Sequence, residues 1–229
     1  MKLRTHIKTG IVLPFFILFF SLSLFAQDVK EKLGDFAEVK TFNAVEVEII
    51  PSSENEIVIT GHSKNEVKFE IVEDRLEIRL SLDNIWSNNN TKITLYTKGL
   101  SIVDANEGSL VTVSGEIEGR ELTFRSQEAA DIKAERVNAG KVNVKAISGG
   151  KVQLNGKAEE QDVEVNTGGH YYGKNLRTQS TDVKSGTAGR AEVYASDYVK
   201  ATAKLGGTVE IFGRPAEVDK KTSLGGRIL

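Results

Sequence analysis

The chain repeats itself about every twenty residues, and that period limits the folds open to it more than any other feature. "SGGKVQLNG" (148–156) and "LGGTVEIFG" (205–213) share one shape, and "LGGRIL" (224–229) begins it again. With the second residue of each Gly-Gly pair as anchor, equivalent positions fall at Ser109, Ala130, Gly150, Gly169, Gly189, Gly207 and Gly226. They lie 21, 20, 19, 20, 18 and 19 residues apart. A self-similar period of this length is the signature of a stacked repeat architecture.

The interior of the repeat says which kind. Two positions past the anchors stand Val111, Ile132, Val152, Tyr171, Ala191, Val209 and Ile228, and four past stand Val113, Ala134, Leu154, Gly173, Val193 and Ile211. Polar residues such as Thr112, Gln153 and Glu210 lie between them. A period of two predicts a strand with one buried face. A second short strand follows in most repeats, with Leu122, Phe124, Val142, Val144, Val163, Val165, Val183 and Val199 pointing inward. No helix-length amphipathic stretch follows the leader, and the repeat is too short for a four-stranded propeller blade. The pattern predicts an all-β parallel β-solenoid of about 19–20 residues per turn. One strand cannot bury its own apolar face, and stacking turns about 4.8 Å apart buries columns of Val and Ile. The glycine pairs read as corners, where positive φ or close approach of the next turn excludes a side chain. A phosphate-binding loop needs a helix N-terminus after its glycines, and here a strand follows.

Residues 27–104 alternate clearly ("VEVEIIP", "EIVITG", "TKITLYT") but lack the anchors. They predict a less regular N-terminal β section that caps the stack, ahead of the regular repeats of 105–229. "VEDRLEIRL" reads as a hairpin, and "DNIWSNNNTK" (83–92) as a polar loop around Trp86. An uncapped stack leaves unpaired edges, so the ends are candidates for self-association or for strand addition by a partner.

The first 26 residues read as a signal peptide: Lys2, Arg4 and Lys8, then "IVLPFFILFFSLSLFA" ending in small Ala26. The apolar run is shorter than the roughly 20 residues of a spanning helix, so no stable membrane span is expected after cleavage. Cleavage leaves 27 Lys+Arg against 32 Asp+Glu, a net of −5. That balance argues against a nucleic-acid partner. With no cysteine there is no disulfide, lipoprotein anchor or thiolate metal site, and three histidines are too scattered for a histidine-rich one. No cofactor is expected.

"FNAVEVEIIPSSENEIVITGH", "DRLEIRL", "KITLYTKGLSIVDANEGSLVTVSG" and the closing "VEIFGRPAEVDKKTSLGGRI" resemble the auto-transporter adhesin family known as the head GIN domain. The resemblance runs from about Phe36 to Leu229, as a single domain spanning 27–229. It implies an exported bacterial protein with a right-handed β-helix, located in the periplasm, at the cell surface or outside the cell. It carries over no catalytic residues. An auto-transporter also needs a membrane barrel of alternating strands. No such segment follows the repeats up to Leu229, so self-translocation is not expected.

The residues offer little chemistry for catalysis. Glu46, Glu48, Glu70, Glu77, Glu164, Glu192 and Glu210 are spread along strands as a solvated face would be. No serine has a nucleophile-elbow context, and no acidic cluster has calcium-loop spacing. Tyr171 breaks an inward column of small residues, and Gly173 and Ala191 compensate for its bulk. Outward, Tyr194 and Phe212 fall side by side on adjacent turns, Tyr172 lies diagonally from Tyr194, and His170 stands in a column with Lys151 and Arg190. These four residues, Tyr172, Tyr194, Phe212 and His170, are the candidate ligand-binding patch, flat rings that suit sugars. The bland alternative is cross-strand aromatic packing. The expected function is a non-enzymatic binding protein that presents a flat strand face to a cell-surface glycan or an envelope protein. The alternatives are a carbohydrate-active enzyme on the same scaffold and a purely structural envelope protein.

Overall fold

A computed structural model describes residues 28–81 and 91–229. The leader and most of the asparagine-rich stretch around Trp86 lie outside the described residues. Apart from one 3-10 turn, Lys64–Glu66, every described element is a strand. The repeat region forms β9 (Leu110–Ser126), β10 (Asp131–Ala146), β11 (Lys151–Val165), β12 (His170–Arg177), β13 (Ser180–Ser185), β14 (Arg190–Ala195), β15 (Tyr198–Lys204), β16 (Thr208–Gly213), β17 (Glu217–Ser223) and β18 (Arg227–Ile228). All pair in parallel, and the register follows the anchors. Lys151 stands opposite Asp131 and His170, His170 opposite Arg190, Arg190 opposite Thr208, and Thr208 opposite Arg227. This is the expected parallel β-solenoid. Val152 and Val209 are fully buried. Ile228 is only half-buried, because the last described turn has a neighbour on one side alone.

The glycine pair divides two tasks. At Leu205–Gly206 two successive residues have positive φ, 49° and 76°, which turns the corner. Gly207, the anchor, has ordinary φ, but a Cβ on it would sit 2.4 Å from the Ser185 carbonyl oxygen of the turn before. The corners also bond to one another, as Gly206 N–H does to Leu224 O at 3.1 Å.

Three parallel ladders run through the early turns. The first holds 121–126, 141–146, 160–165, β13, β15 and β17; the second holds 110–113, 131–134, 151–155, the start of β12, β14, β16 and β18. The third is short: 116–119, 136–139, 156–158 and 175–177. Then it stops. β14 pairs with β12 only over 170–172, and the Ser196 N–H bonds the Thr178 carbonyl at 3.0 Å. The chain of that turn cuts across the corner that earlier turns go around. A three-sided cross-section becomes two-sided, and a step is left beneath 174–177.

The core at this transition contains the largest fully buried side chain, Tyr171. Gly173 makes room for it, since a Cβ there would lie 2.3 Å from the ring; the expected volume compensation is present. The Tyr171 hydroxyl donates to Gln161 Oε1 at 2.9 Å. Gln161 Nε2 donates to Thr181 Oγ1 and to the Tyr194 carbonyl, both at 3.0 Å. Thr181 Oγ1, at 3.1 Å, and Thr178 Oγ1 donate to the same carbonyl. The Tyr194 carbonyl faces the turn where β12 has already veered away, so side chains replace the lost ladder bond.

The N-terminal section winds out of sequence order. β2 (Glu38–Phe42) and β3 (Glu46–Pro51) pair in parallel with β8 (Ile102–Ala105) and β9 on one side. On the other side they pair with β6 (Arg75–Leu80) and β7 (Lys92–Thr97). The outer edge is closed by antiparallel strands: β5 (Val67–Val72) on β6, β4 (Glu56–Thr60) on β7, and β1 (Val29–Lys32) on β4. β5 and β6 form the expected hairpin, turning at Glu73 with φ 58°. Antiparallel strands shield the first edge from continued parallel stacking, as a cap should.

Candidate functional site

The step beneath the third ladder is floored by aromatic rings and roofed by cations. Tyr194 and Phe212 are register partners on β14 and β16. The Arg177 guanidinium lies 4.2 Å from the Tyr194 ring centroid, and Lys174 Nζ lies 6.0 Å from that of Phe212. Together with Asn175 and Arg214 these residues line a groove of about 540 Å³. A second depression of about 260 Å³ adjoins it, lined by Tyr172, Glu192, Gln153 and Asn155 and sharing Lys174 and Asn175. The His170 and Tyr172 rings stack at 6.2 Å with 16° between their planes.

Glu192 is unusual for an outward strand position, being only 9% exposed. Its Oε1 is 3.9 Å from Arg190 and its Oε2 is 3.7 Å from Lys174. Neither distance makes a hydrogen bond, and Oε2 has no hydrogen-bond partner among the described residues. The Nδ1 of His170 is likewise buried and unpartnered.

The four residues expected as a patch occupy the expected register: Tyr194 beside Phe212, Tyr172 one diagonal from Tyr194, and His170 between Lys151 and Arg190. Two features differ. All four are half-buried rather than free-standing, because a cation or a second ring covers each. The surface they share is stepped, not an unbroken plane. The partner of Asn155 is Asn175, and Lys174 falls in a bulge at 173–174 that makes way for the Tyr171 ring. Sequence reasoning missed Arg177, Arg214 and the burial of Glu192. The one available signal was the 18-residue spacing from Gly189 to Gly207, the shortest in the series.

On the first ladder, Asp162 and Asp182 stand opposite each other on adjacent turns. Each is held by a lysine: Lys141 lies 2.5 Å from Asp162 and Lys200 lies 3.4 Å from Asp182. The hydrogen bond to Asp162 raises the pKa of Lys141 above its ordinary value. Among the described residues no group of three or more His, Cys, Asp or Glu is placed to hold a metal ion. No described helix is long and apolar enough to cross a membrane.

A family model described as "Putative auto-transporter adhesin, head GIN domain" matches residues 35–215. The match covers the cap from β2 onward, the third ladder and the step, and it ends within the closing motif, before "DKKTSLGG". Solved structures share the fold. A "putative adhesin" from Bacteroides fragilis NCTC 9343 superposes with a TM-score of 0.80 at 16% identity, over 88% of this chain and 95% of that one. A "putative adhesin" from Parabacteroides distasonis ATCC 8503 gives 0.68 at 19%, over 88% and 95%. A "putative lipid binding protein" from the same organism gives 0.66 at 16%, over 89% and 96%. At such identities the likeness is one of fold. No curated protein matches the sequence.

Proposed function

The chain belongs to the "putative auto-transporter adhesin, head GIN domain" family, and from that premise we propose that it is an exported, non-enzymatic binding protein whose solenoid presents the stepped aromatic patch to a cell-surface glycan or envelope protein. The observation that carries the reading is the groove itself. Tyr194 and Phe212 offer ring faces at the foot of a step, with polar groups converging from Asn175, Arg177 and Arg214. Concave sites that combine ring faces with a few convergent polar groups are the usual form of small-ligand sites. A cross-strand aromatic pair made only for stability has no need of a groove or a roof of cations.

The non-enzymatic part of the reading is supported by the cations beside each pair of facing carboxylates: Lys141 and Lys200 at Asp162 and Asp182, Arg79 at Glu70 and Glu77, and Arg190 at Glu192 and Glu210. Export is supported by the leader, and the intact mass of the protein recovered outside the cytoplasm should correspond to a chain without its first 26 residues.

The binding reading is tested by adding purified protein to intact bacterial and host cells and to a glycan array. The parent is expected to bind, and Tyr172→Ala with Tyr194→Ala to abolish binding with an unchanged melting temperature. A double variant that binds like the parent would overturn the assignment of the patch, as would a parent that binds neither cells nor glycans.

A further inference from the structure

We propose that the ligand of the step is an acidic glycan, held by its anionic groups at Lys174, Arg177 and Arg214 and by a sugar hydroxyl at Glu192. The inference rests on the glycan-binding reading above and names the class of sugar. Three observations carry it.

The first is charge left unpaired. The chain is slightly acidic overall, at −2, yet the groove is lined by Lys174, Arg177 and Arg214 and by no carboxylate. Neither Arg177 nor Arg214 has an acidic partner among the described residues. Lys157, opposite Arg177 in the third ladder, has none either. Arg177, Arg214 and Lys174 converge on the groove where the ladder ends, and a concave site lined by one sign of charge concentrates ligands of the other.

The second is how Arg177 is held. Its guanidinium lies over the face of Tyr194. A stacked guanidinium is oriented by the ring while the N–H groups at its edge stay free in its plane, the geometry that receives a carboxylate or sulfate in bidentate fashion. A planar anionic group can therefore dock at the edge of Arg177 while the rest of a sugar lies toward Phe212.

The third is Glu192, which separates a sugar from other anions. Glu192 borders the depression beside Tyr172, and its Oε2 is buried without a hydrogen-bond donor. A buried acceptor left unsatisfied is costly. A phosphate or a lipid headgroup bearing only anionic oxygens would be repelled there. A sugar hydroxyl entering the depression donates instead to the part-exposed Glu192 carboxylate. The two depressions share Lys174 and Asn175, so a ligand spanning both carries an anionic group at one end and hydroxyls at the other. An oligosaccharide of uronic or sulfated sugars has both.

The test is a titration of the protein with four probes: a galacturonate hexamer, a heparin-derived hexamer, a neutral glucan hexamer, and vesicles containing phosphatidylglycerol. At least one acidic hexamer should bind more tightly than the neutral one, and more weakly as salt is raised. Arg177→Gln with Arg214→Gln should weaken that binding by about tenfold or more. Both residues are exposed, so the melting temperature should not move. Glu192→Gln should weaken both acidic and neutral hexamers. Equal binding of neutral and acidic hexamers, or no effect of the double arginine variant, overturns the acidic assignment and leaves the glycan-binding reading standing. Binding to vesicles with no hexamer bound overturns both.

Discussion

Replacing Tyr171 with Phe should cost far more than the loss of one oxygen atom suggests. The ring of Tyr171 is fully buried, and phenylalanine keeps its packing against Gly173. What disappears is the 2.9 Å hydrogen bond to Gln161 Oε1. Burial pushes the Tyr171 pKa well above its ordinary value, so the hydroxyl is protonated and a donor at neutral pH. Without it Gln161 Oε1 is left buried with no partner, which costs about 2 kcal/mol. That is roughly a 30-fold shift of the unfolding equilibrium and a fall of about 4–8 °C in melting temperature for a protein of this size. Urea unfolding at neutral pH reads it directly. Adding Gln161→Leu to Tyr171→Phe should then cost less than Gln161→Leu alone. The amide that needed a partner is gone, while Thr178 and Thr181 still donate to the Tyr194 carbonyl. A coupling of about 1–2 kcal/mol is expected from the cycle. If Tyr171→Phe unfolds within about 0.5 kcal/mol of the parent, the buried network does not hold the corner as described.

Three further outcomes follow from the stack. Gly207→Ala should destabilise by about 3 kcal/mol, because its Cβ meets the Ser185 carbonyl. Gly206→Ala, with φ 76° but open space around it, should cost about 1–2 kcal/mol; parallel melts of the two separate close approach from positive φ. Val209→Asp should cost about 4 kcal/mol or more, by placing an unpaired charge in a dry column. Thr208→Asp, opposite Arg190 and Arg227, should be nearly neutral; equal melting temperatures would mean the register is wrong. Hydrogen bonds from Lys92 and Ser114 hold the Glu48 carboxyl below its ordinary value. A depressed carboxylate pKa contributes stability that is present above the unfolded value of about 4.3 and is lost as pH falls through the folded one. Glu48→Gln should therefore melt slightly earlier than the parent at neutral pH, and the gap should close on acidification through that window. A gap that persists unchanged to lower pH would exclude the ion pair as its cause.

The stacking was legible because the Gly-Gly anchors and the period-two columns each specify the same register, down to Val209 inside and Thr208 outside. The corner glycines and the Tyr171–Gly173 exchange of volume were legible for the same reason, since each is a local misfit with a local remedy. The loss of the third ladder was not. Its inward residues, Ile117, Val137, Ala158 and Leu176, come one per turn, too few to form a pattern. Spacing alone is ambiguous, since the 19-residue turn after Gly150 keeps the third side and the 19-residue turn after Gly207 lacks it. Gln161 occupies an inward column position that composition would assign to solvent, and its bonds to the buried Tyr171 hydroxyl and the displaced carbonyl of Tyr194 explain it. The out-of-order winding of β2 and β3 depends on pairings across dozens of residues, which no local window contains. The aromatic half of the candidate site followed from the register. The cationic half, Arg177 and Arg214, depends on the step and could be placed only once the third ladder was seen to end.

On the proposed reading, the end of the third ladder creates the binding site. Amide hydrogen exchange of the protein, with and without the acidic hexamer that binds it best, tests this most directly. Protection is predicted in 172–177, 192–196 and 212–214, with no change along the first-ladder strands that carry Asp162 and Asp182. Protection confined to those first-ladder strands, with 172–177 and 212–214 unchanged, would contradict it.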